Sequence, residues 1–170
     1  MLPLSFRQVY SLGFIACAAL LGAAYYFEYY LYLDPCPLCI MQRIAVAALA
    51  LVFLCGVLHA PTKLLGQRLY TGAGILASCF GAAIAGRHVW IQSLPPDQVP
   101  TCGPSLEYMV DALPLADLIA VMLRGNGNCA EAVWSFAGMS MPQWTLIWFV
   151  VFALSGVGYM WQLGRAQRAD

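Results

Sequence analysis

Cys36 and Cys39, at C-x-x-C spacing, are the residues of this chain best suited to chemistry. Such a pair serves thiol–disulfide exchange or metal binding. Two more cysteines, Cys102 and Cys129, stand in a later polar segment, and Arg43 follows Cys39 by about one helical turn. Because the C-x-x-C pair is short enough to close on itself, Cys102 and Cys129 remain as a second pair. Which chemistry applies depends on the elements that hold these residues.

The composition is typical of a membrane protein. Of the 170 residues, 62% are hydrophobic and 9% are charged, against about 25% charged in a typical soluble domain. The formal net charge is zero, which gives no indication of a nucleic-acid partner. A membrane-spanning helix needs about 20 apolar residues, and four segments qualify: 9–33, 38–58, 69–91 and 144–163. We predict an all-α membrane protein with one domain, 1–170: a bundle of four transmembrane helices with a long loop at 92–143.

Charged residues sort to opposite ends of the predicted spans. Basic residues dominate the end that holds both termini and the 59–68 loop, namely Arg7, Lys63, Arg68, Arg165 and Arg168. Acidic residues dominate the other end, namely Asp34, Asp97, Glu107, Asp111, Asp117 and Glu131. The positive-inside rule therefore predicts that both termini are cytoplasmic. Cys36, Cys39 and the 92–143 loop then lie outside, which in a bacterium is the periplasm.

The outer loop contains its own helical patterns. Residues 105–112 favour a helical piece that is interrupted near Pro114. Residues 115–124 carry leucine, isoleucine and methionine at helical spacing but are far too few to span a bilayer. We expect this second piece to lie on the membrane surface or to dock on the bundle. Trp134, Phe136 and Trp144 resemble interfacial anchors.

The predicted topology divides the seven cysteines. Three lie inside spans, where a thiol behaves as a small hydrophobe: Cys17, Cys55 and Cys79. The other four lie on the outer side, where disulfides persist. Two static disulfides are one interpretation. A metal site is another, but it usually needs four nitrogen or sulfur ligands at fitting spacing, and Cys102 and Cys129 form no second C-x-x-C, so we expect no metal.

Local features favour thiol exchange at the start of the second span. Asp34 suits an N-cap and Pro35 a first helical residue. Cys36 and Cys39 would then lie at a helix N-terminus, where the dipole favours a thiolate. Arg43 shares their helix face, and a fixed cation there would lower a thiol pKa further. A side chain that extends to lipid headgroups is the alternative interpretation of Arg43.

Two other ionisable residues lie near the outer ends of the spans. His88, beside Arg87, is a candidate functional residue because ionisable groups at membrane depth are costly. A hydrogen-bonded packing histidine is the alternative. Glu28 is a weaker candidate, and we interpret it as a rim carboxylate rather than a catalytic one.

Over nearly its whole length the sequence resembles the DsbB family, the bacterial disulfide bond formation protein B. The resemblance is carried by the four spans, the outer cysteine pair and three motifs: Cys36-Pro37-Leu38-Cys39-Ile40-Met41-Gln42-Arg43, Trp134-Ser135-Phe136 and Met141-Pro142-Gln143-Trp144. It implies an oxidoreductase of the bacterial inner membrane that reoxidises a periplasmic thioredoxin-like partner, DsbA, and passes electrons to membrane quinone. The sequence does not distinguish ubiquinone from menaquinone.

The resemblance also implies a role for each site residue. Cys102 would form the mixed disulfide with DsbA, and Cys129 would be its loop partner. Cys36 would exchange with the loop pair, and Cys39 would face the quinone. Arg43 and His88 would both lie near the quinone. The neutral Gln42, where the family often has a charged residue, and Pro37 inside the C-x-x-C leave the redox potential open.

Two alternatives differ from this reading. One is a relative that acts on another thiol partner or runs in the reductive direction. The other is a structural protein with four spans and static disulfides on its outer face. Turnover that depends on the cysteines distinguishes an enzyme from a structural protein with static disulfides.

Overall fold

The computed structural model describes residues 5–103 and 106–169. Its α-helices are α1 (Phe6–Leu31), α2 (Pro37–His59), α3 (Leu64–Gln92), α4 (Leu106–Ala112), α5 (Leu115–Arg124) and α6 (Met141–Ala169). Four of them, α1, α2, α3 and α6, are long and apolar enough to cross a membrane. The predicted all-α membrane fold is therefore confirmed, although the helices begin and end a few residues away from the predicted spans.

The long helices pack in sequence, with α1 on α2, α2 on α3 and α3 on α6. Side chains such as Leu49, Ala85 and Phe149 fill the centre of the bundle and are almost fully buried. The edge between α1 and α6 is much looser among the described residues. Cavities lined by both helices lie along this edge, so the bundle has a groove that opens towards lipid.

Glycines permit the closest helix contacts. A Cβ atom on Gly81 of α3 would lie 2.2 Å from the ring of Phe149 in α6. A Cβ on Gly56 of α2 would lie 2.3 Å from the ring of Tyr10 in α1. Small residues let helices approach closely in lipid, where no hydrophobic force drives them together. Gly81 and Gly56 thus serve the packing of the helices.

The outer loop folds over the ends of α2 and α3. Helix α5 contacts α2 through buried Met122 and its neighbours Leu118 and Leu123, whereas Leu115 is 72% exposed. Docking on the bundle is therefore confirmed for 115–124, while its position on the membrane surface stays a prediction. A 3-10 turn at Gly127–Cys129 follows.

A small hairpin, which the sequence did not predict, precedes α6. Strand β1 (Ser135–Phe136) pairs antiparallel with β2 (Met139–Ser140). Ala137 and Gly138, at the turn, both have positive φ, at 52° and 77°, as two-residue hairpin turns require. The aromatic residues Trp134, Phe136 and Trp144 form a contiguous cluster here, with ring centroids 6.1 Å apart in each successive pair.

We predict that Gly81→Val lowers the midpoint of thermal unfolding in detergent, because the added side chain overlaps Phe149. Overpacking of this kind costs about 1–3 kcal/mol. Gly72→Val is the matched control on the same helix, since a Cβ there meets nothing within 4 Å. Equal midpoints for the two variants would contradict the close α3–α6 contact.

Candidate active site

The start of α2 sets the position of the first cysteine pair. Proline at position 37 disfavours helical geometry in the residue before it, and Cys36 accordingly is extended, with φ −68° and ψ 164°. Cys36 is therefore the N-cap and Pro37 the first helical residue. The expectation that Asp34 caps the helix and Pro35 begins it was wrong, because the constraint from Pro37 outweighs the capping preference of Asp34. The expected position of both cysteines at the head of α2 is found.

The two sulfurs at the head of α2 are in contact. Cys36 Sγ lies 3.0 Å from Cys39 Sγ, and it also accepts a hydrogen bond from the Cys39 backbone N–H at 3.4 Å. Both thiols are free in this structure and partly buried. A disulfide between them needs only a small approach of the two sulfurs, about 1 Å.

The 3-10 turn brings Cys129 to the same point. Cys129 is fully buried, and its Sγ, the Sγ of Cys36 and a ring nitrogen of His88 all lie within 4.8 Å of one another. Gly125, with φ 72°, lets the chain pass close over α2 and α3, where a Cβ would lie 2.7 Å from Leu38 and 2.8 Å from Ile91. The outer loop thus places its buried cysteine against Cys36.

The contact between Cys36 and Cys129 shifts the pKa values of the two thiols in opposite directions. The Cys36 thiol donates to the sulfur of Cys129, which lowers the pKa of Cys129 to about 6 despite its burial. The pKa of Cys36 is raised, because its proton is held by Cys129 and by Cys39 and because the group is desolvated. Cys129 is therefore the nucleophilic thiolate of the pair near neutral pH.

Arg87 and His88, which are consecutive in α3, hold the loop through hydrogen bonds. The His88 ring donates from Nε2 to the Cys129 carbonyl oxygen at 3.1 Å, and Arg87 donates to the Arg124 carbonyl oxygen at 3.2 Å. These carbonyls flank the short segment 125–128. His88 also accepts at Nδ1 from the Gln42 amide at 3.0 Å. The buried imidazole therefore links α2, α3 and the loop.

The candidate metal ligands that the structure groups together differ from the four cysteine thiolates that the sequence offers. Cys36, Cys129 and His88 present ligand atoms within 4.8 Å of one another. His88, however, uses both ring nitrogens in protein hydrogen bonds, donating to the Cys129 carbonyl and accepting from Gln42. His88 Nε2 also lies 3.7 Å from the Cys36 sulfur, and we interpret this cluster as a thiol-exchange site.

Arg43 is held by three residues of α1. Its Nη1 forms an ion pair with Glu28, and its Nη2 donates to the Ala24 carbonyl oxygen at 3.1 Å. Its guanidinium also lies 5.3 Å from the centre of the Tyr25 ring. Sequence reasoning underrated Glu28. The available signal was the presence of opposite charges at the same end of two neighbouring spans.

A cavity of about 100 Å³ lies beside Cys39 and Arg43, between α1, α2 and the start of α6. Its other walls are mostly apolar, and the polar groups gather at the outer end. A second cavity of about 260 Å³ adjoins it and shares five lining residues: Leu20, Ala24, Phe27, Met141 and Thr145. His88 lines neither of these cavities, but it lines a smaller one of about 40 Å³ together with Cys36 and Cys39.

Cys102 is the exposed member of the four. Its segment runs beside the 3-10 turn, since the Gly127 backbone N–H donates to the Thr101 carbonyl oxygen at 3.2 Å. A Cβ on Gly127 would lie 3.1 Å from Cys102 Sγ. The structure thus orders the sulfurs from the exposed Cys102 through the buried Cys129 and the partly buried Cys36 to Cys39 at the cavity.

Comparison with known proteins identifies the family of the chain. The family model described as "Disulfide bond formation protein DsbB" matches residues 6–158. The chain belongs to the DsbB family. Disulfide bond formation protein B of Chromohalobacter salexigens is 51% identical over 157 residues, which cover 92% of this chain and 91% of that protein. The protein of the same name from Nitrosococcus oceani is 49% identical over 162 residues, covering 95% and 94%.

Membership of this family makes the chain a disulfide-generating oxidoreductase of the bacterial disulfide-formation machinery. Disulfide bond formation protein B of Methylococcus capsulatus is also similar, at 48% identity over 161 residues, covering 95% of this chain and 98% of the relative. The resemblance drawn from the sequence motifs is therefore confirmed over nearly the full length of the chain.

We predict that the reactivity of Cys129 follows a titration with a midpoint near pH 6, the value to which its pKa is lowered. Below this pH the thiol is protonated and unreactive, and above it the thiolate is alkylated. Mass spectrometry of the reduced protein after brief treatment with a small alkylating agent measures the modified fraction at each pH.

Removal of the hydrogen-bond donor tests the cause of this low pKa. Cys36→Ala should move the midpoint of Cys129 to higher pH, whereas Cys36→Ser keeps a hydroxyl donor and should move it less. Cys55→Ser is the control. A midpoint that is the same with and without the Cys36 thiol would contradict the assigned cause.

Proposed function

We propose that the protein reoxidises a DsbA-like, thioredoxin-like thiol oxidase of the periplasm and passes the electrons through its two cysteine pairs to membrane quinone. The observation that carries this proposal is the order of the four sulfurs. One cysteine is exposed to a soluble partner, a buried one contacts a partly buried one, and the last borders an apolar cavity in the membrane part of the protein. The order supports transfer from a protein in water to an acceptor in lipid.

The first step uses the exposed cysteine. A thiolate of the reduced partner attacks Cys102 of a closed Cys102–Cys129 pair, forms a mixed disulfide and releases Cys129 as a thiolate. The exposure of Cys102 supports its role as the attacked sulfur, because a folded partner cannot reach the buried Cys129.

The second step moves the exchange to the head of α2. The Cys129 thiolate attacks Cys36 of a closed Cys36–Cys39 pair, so that a Cys36–Cys129 disulfide forms and Cys39 leaves as a thiolate beside the cavity. The second thiol of the partner then attacks the mixed disulfide, and the partner departs oxidised. The released Cys102 attacks Cys129 in turn, restores the loop pair and leaves Cys36 and Cys39 as a dithiol that carries the two electrons.

The cavity beside Cys39 suits a quinone head group. Apolar side chains such as Leu20, Leu21 and Val46 line most of it, while the guanidinium of Arg43 lies at the same end as the Cys39 sulfur. The adjoining cavity, with Trp134, Phe136 and Trp144 in its wall, lies along the loose edge of the bundle. A bound quinone would supply the oxidant for the dithiol, taking up two electrons and two protons.

Arg43 and His88 have different proposed roles. Arg43 borders the cavity and offers N–H donors and positive charge to an acceptor oxygen. The sequence resemblance implies a position for His88 near the quinone, but its hydrogen bonds support a role in seating Cys129 against Cys36. The lateral groove and the charge asymmetry support insertion in the bacterial inner membrane with cytoplasmic termini and periplasmic cysteines.

We predict that the purified protein, given a reduced thioredoxin-like donor and a short-tailed ubiquinone or menaquinone analogue, reduces the quinone. Absorbance of the quinone measures the rate. Cys36→Ser or Cys39→Ser should remove nearly all of the activity, because each breaks the inner pair that must deliver both electrons.

Two matched variants control this test. Cys55→Ser and Cys79→Ser remove thiols on the lateral surface of the bundle and should leave the rate unchanged. If the disulfides were only structural, the wild type would show no turnover. Each variant of Cys36, Cys39, Cys102 or Cys129 would then be less stable. Activity that persists in Cys36→Ser or Cys39→Ser would rule out the proposed relay.

A further inference from the structure

We infer that Glu28 is a positioning residue that holds the Arg43 guanidinium at the wall of the cavity beside Cys39. The inference rests on the proposed function, because it assigns Glu28 an effect on quinone use through Arg43. It departs from the sequence expectation, in which Glu28 is a rim carboxylate.

The contacts of Arg43 support this assignment. An arginine near a membrane interface extends towards the headgroups unless it is held, because its stem is long and flexible. Here the guanidinium turns towards α1, where it forms its ion pair with Glu28 and donates to the Ala24 carbonyl. Of the two groups, only Glu28 carries charge, and among the described residues it is the one ion-pair partner of Arg43.

Burial makes this ion pair more significant than one in open water. The Arg43 side chain is 18% exposed and that of Glu28 is 25% exposed. Charges that are partly buried are screened less by salt, and a cation left without its partner in such a site is costly. Without Glu28, we expect the Arg43 side chain to leave the cavity wall for the headgroup region.

The position of Glu28 indicates that it acts through Arg43 and not on the acceptor. Arg43 lines the cavity together with Cys39 and Gln42, whereas Glu28 is not among its lining residues. The carboxylate therefore has no direct contact with a molecule bound there. Its effect should appear in quinone affinity and not in the thiol exchange between the loop and Cys36.

Steady-state kinetics with the short-tailed quinone analogues test the inference. Glu28→Ala should raise the quinone KM about tenfold, equivalent to about 1.4 kcal/mol, with little change in kcat. Glu28→Gln keeps an acceptor oxygen for the guanidinium and should restore most of the affinity. Asp97→Ala removes another exposed carboxylate of the outer face and should behave as wild type.

A double-mutant cycle gives the sharpest outcome. If Glu28 acts only through Arg43, Glu28→Ala should add nothing in an Arg43→Ala background. Oxidation of the partner in a single turnover without quinone should be equal in wild type and Glu28→Ala. A KM for Glu28→Ala equal to wild type, full additivity with Arg43→Ala, or no recovery in Glu28→Gln would overturn the inference. Absence of quinone reduction in the wild type would instead overturn the proposed function.

Discussion

The sulfur of Cys36 makes the contacts on which the rest of the site depends. It lies 3.0 Å from Cys39 Sγ and 3.7 Å from His88 Nε2, and within 4.8 Å of Cys129 Sγ. Pro37 causes this arrangement, because it fixes the first turn of α2 and keeps Cys36 extended in front of it. One backbone constraint thus puts a sulfur where it meets both its C-x-x-C partner and the loop cysteine.

The proposed relay requires that the loop be held against α2 for one exchange and yet remain able to move for the next. Its attachment around Cys129 consists of hydrogen bonds from His88 and Arg87 to two carbonyls and of the packing of Gly125 on Leu38 and Ile91. Segments with few such contacts open at low free-energy cost. The long helices behind them form the rigid part, since glycine contacts such as Gly81 on Phe149 bring them together tightly.

The sequence predicted the four long helices, the short helix at 115–124 and the place of Cys36 and Cys39 at the head of α2, because hydropathy and short spacings are local signals. The predicted N-cap at Asp34 was wrong, because Pro37 keeps Cys36 out of helical geometry and the helix begins after it. Contacts between elements had no local signal. The Arg43–Glu28 pair joins two helices, and the Cys36–Cys129 contact depends on the path of a loop with a positive-φ glycine at position 125.

Disulfide mapping of a variant that carries both Cys39→Ser and Cys102→Ser tests the central claim most directly. These changes leave Cys36 and Cys129 without their proposed partners while they remain in contact. After mild oxidation, mass spectrometry of the digested protein should find them joined in most molecules. Two free thiols, or a pairing of either residue with Cys17, Cys55 or Cys79, would contradict a relay that runs through the Cys36–Cys129 contact.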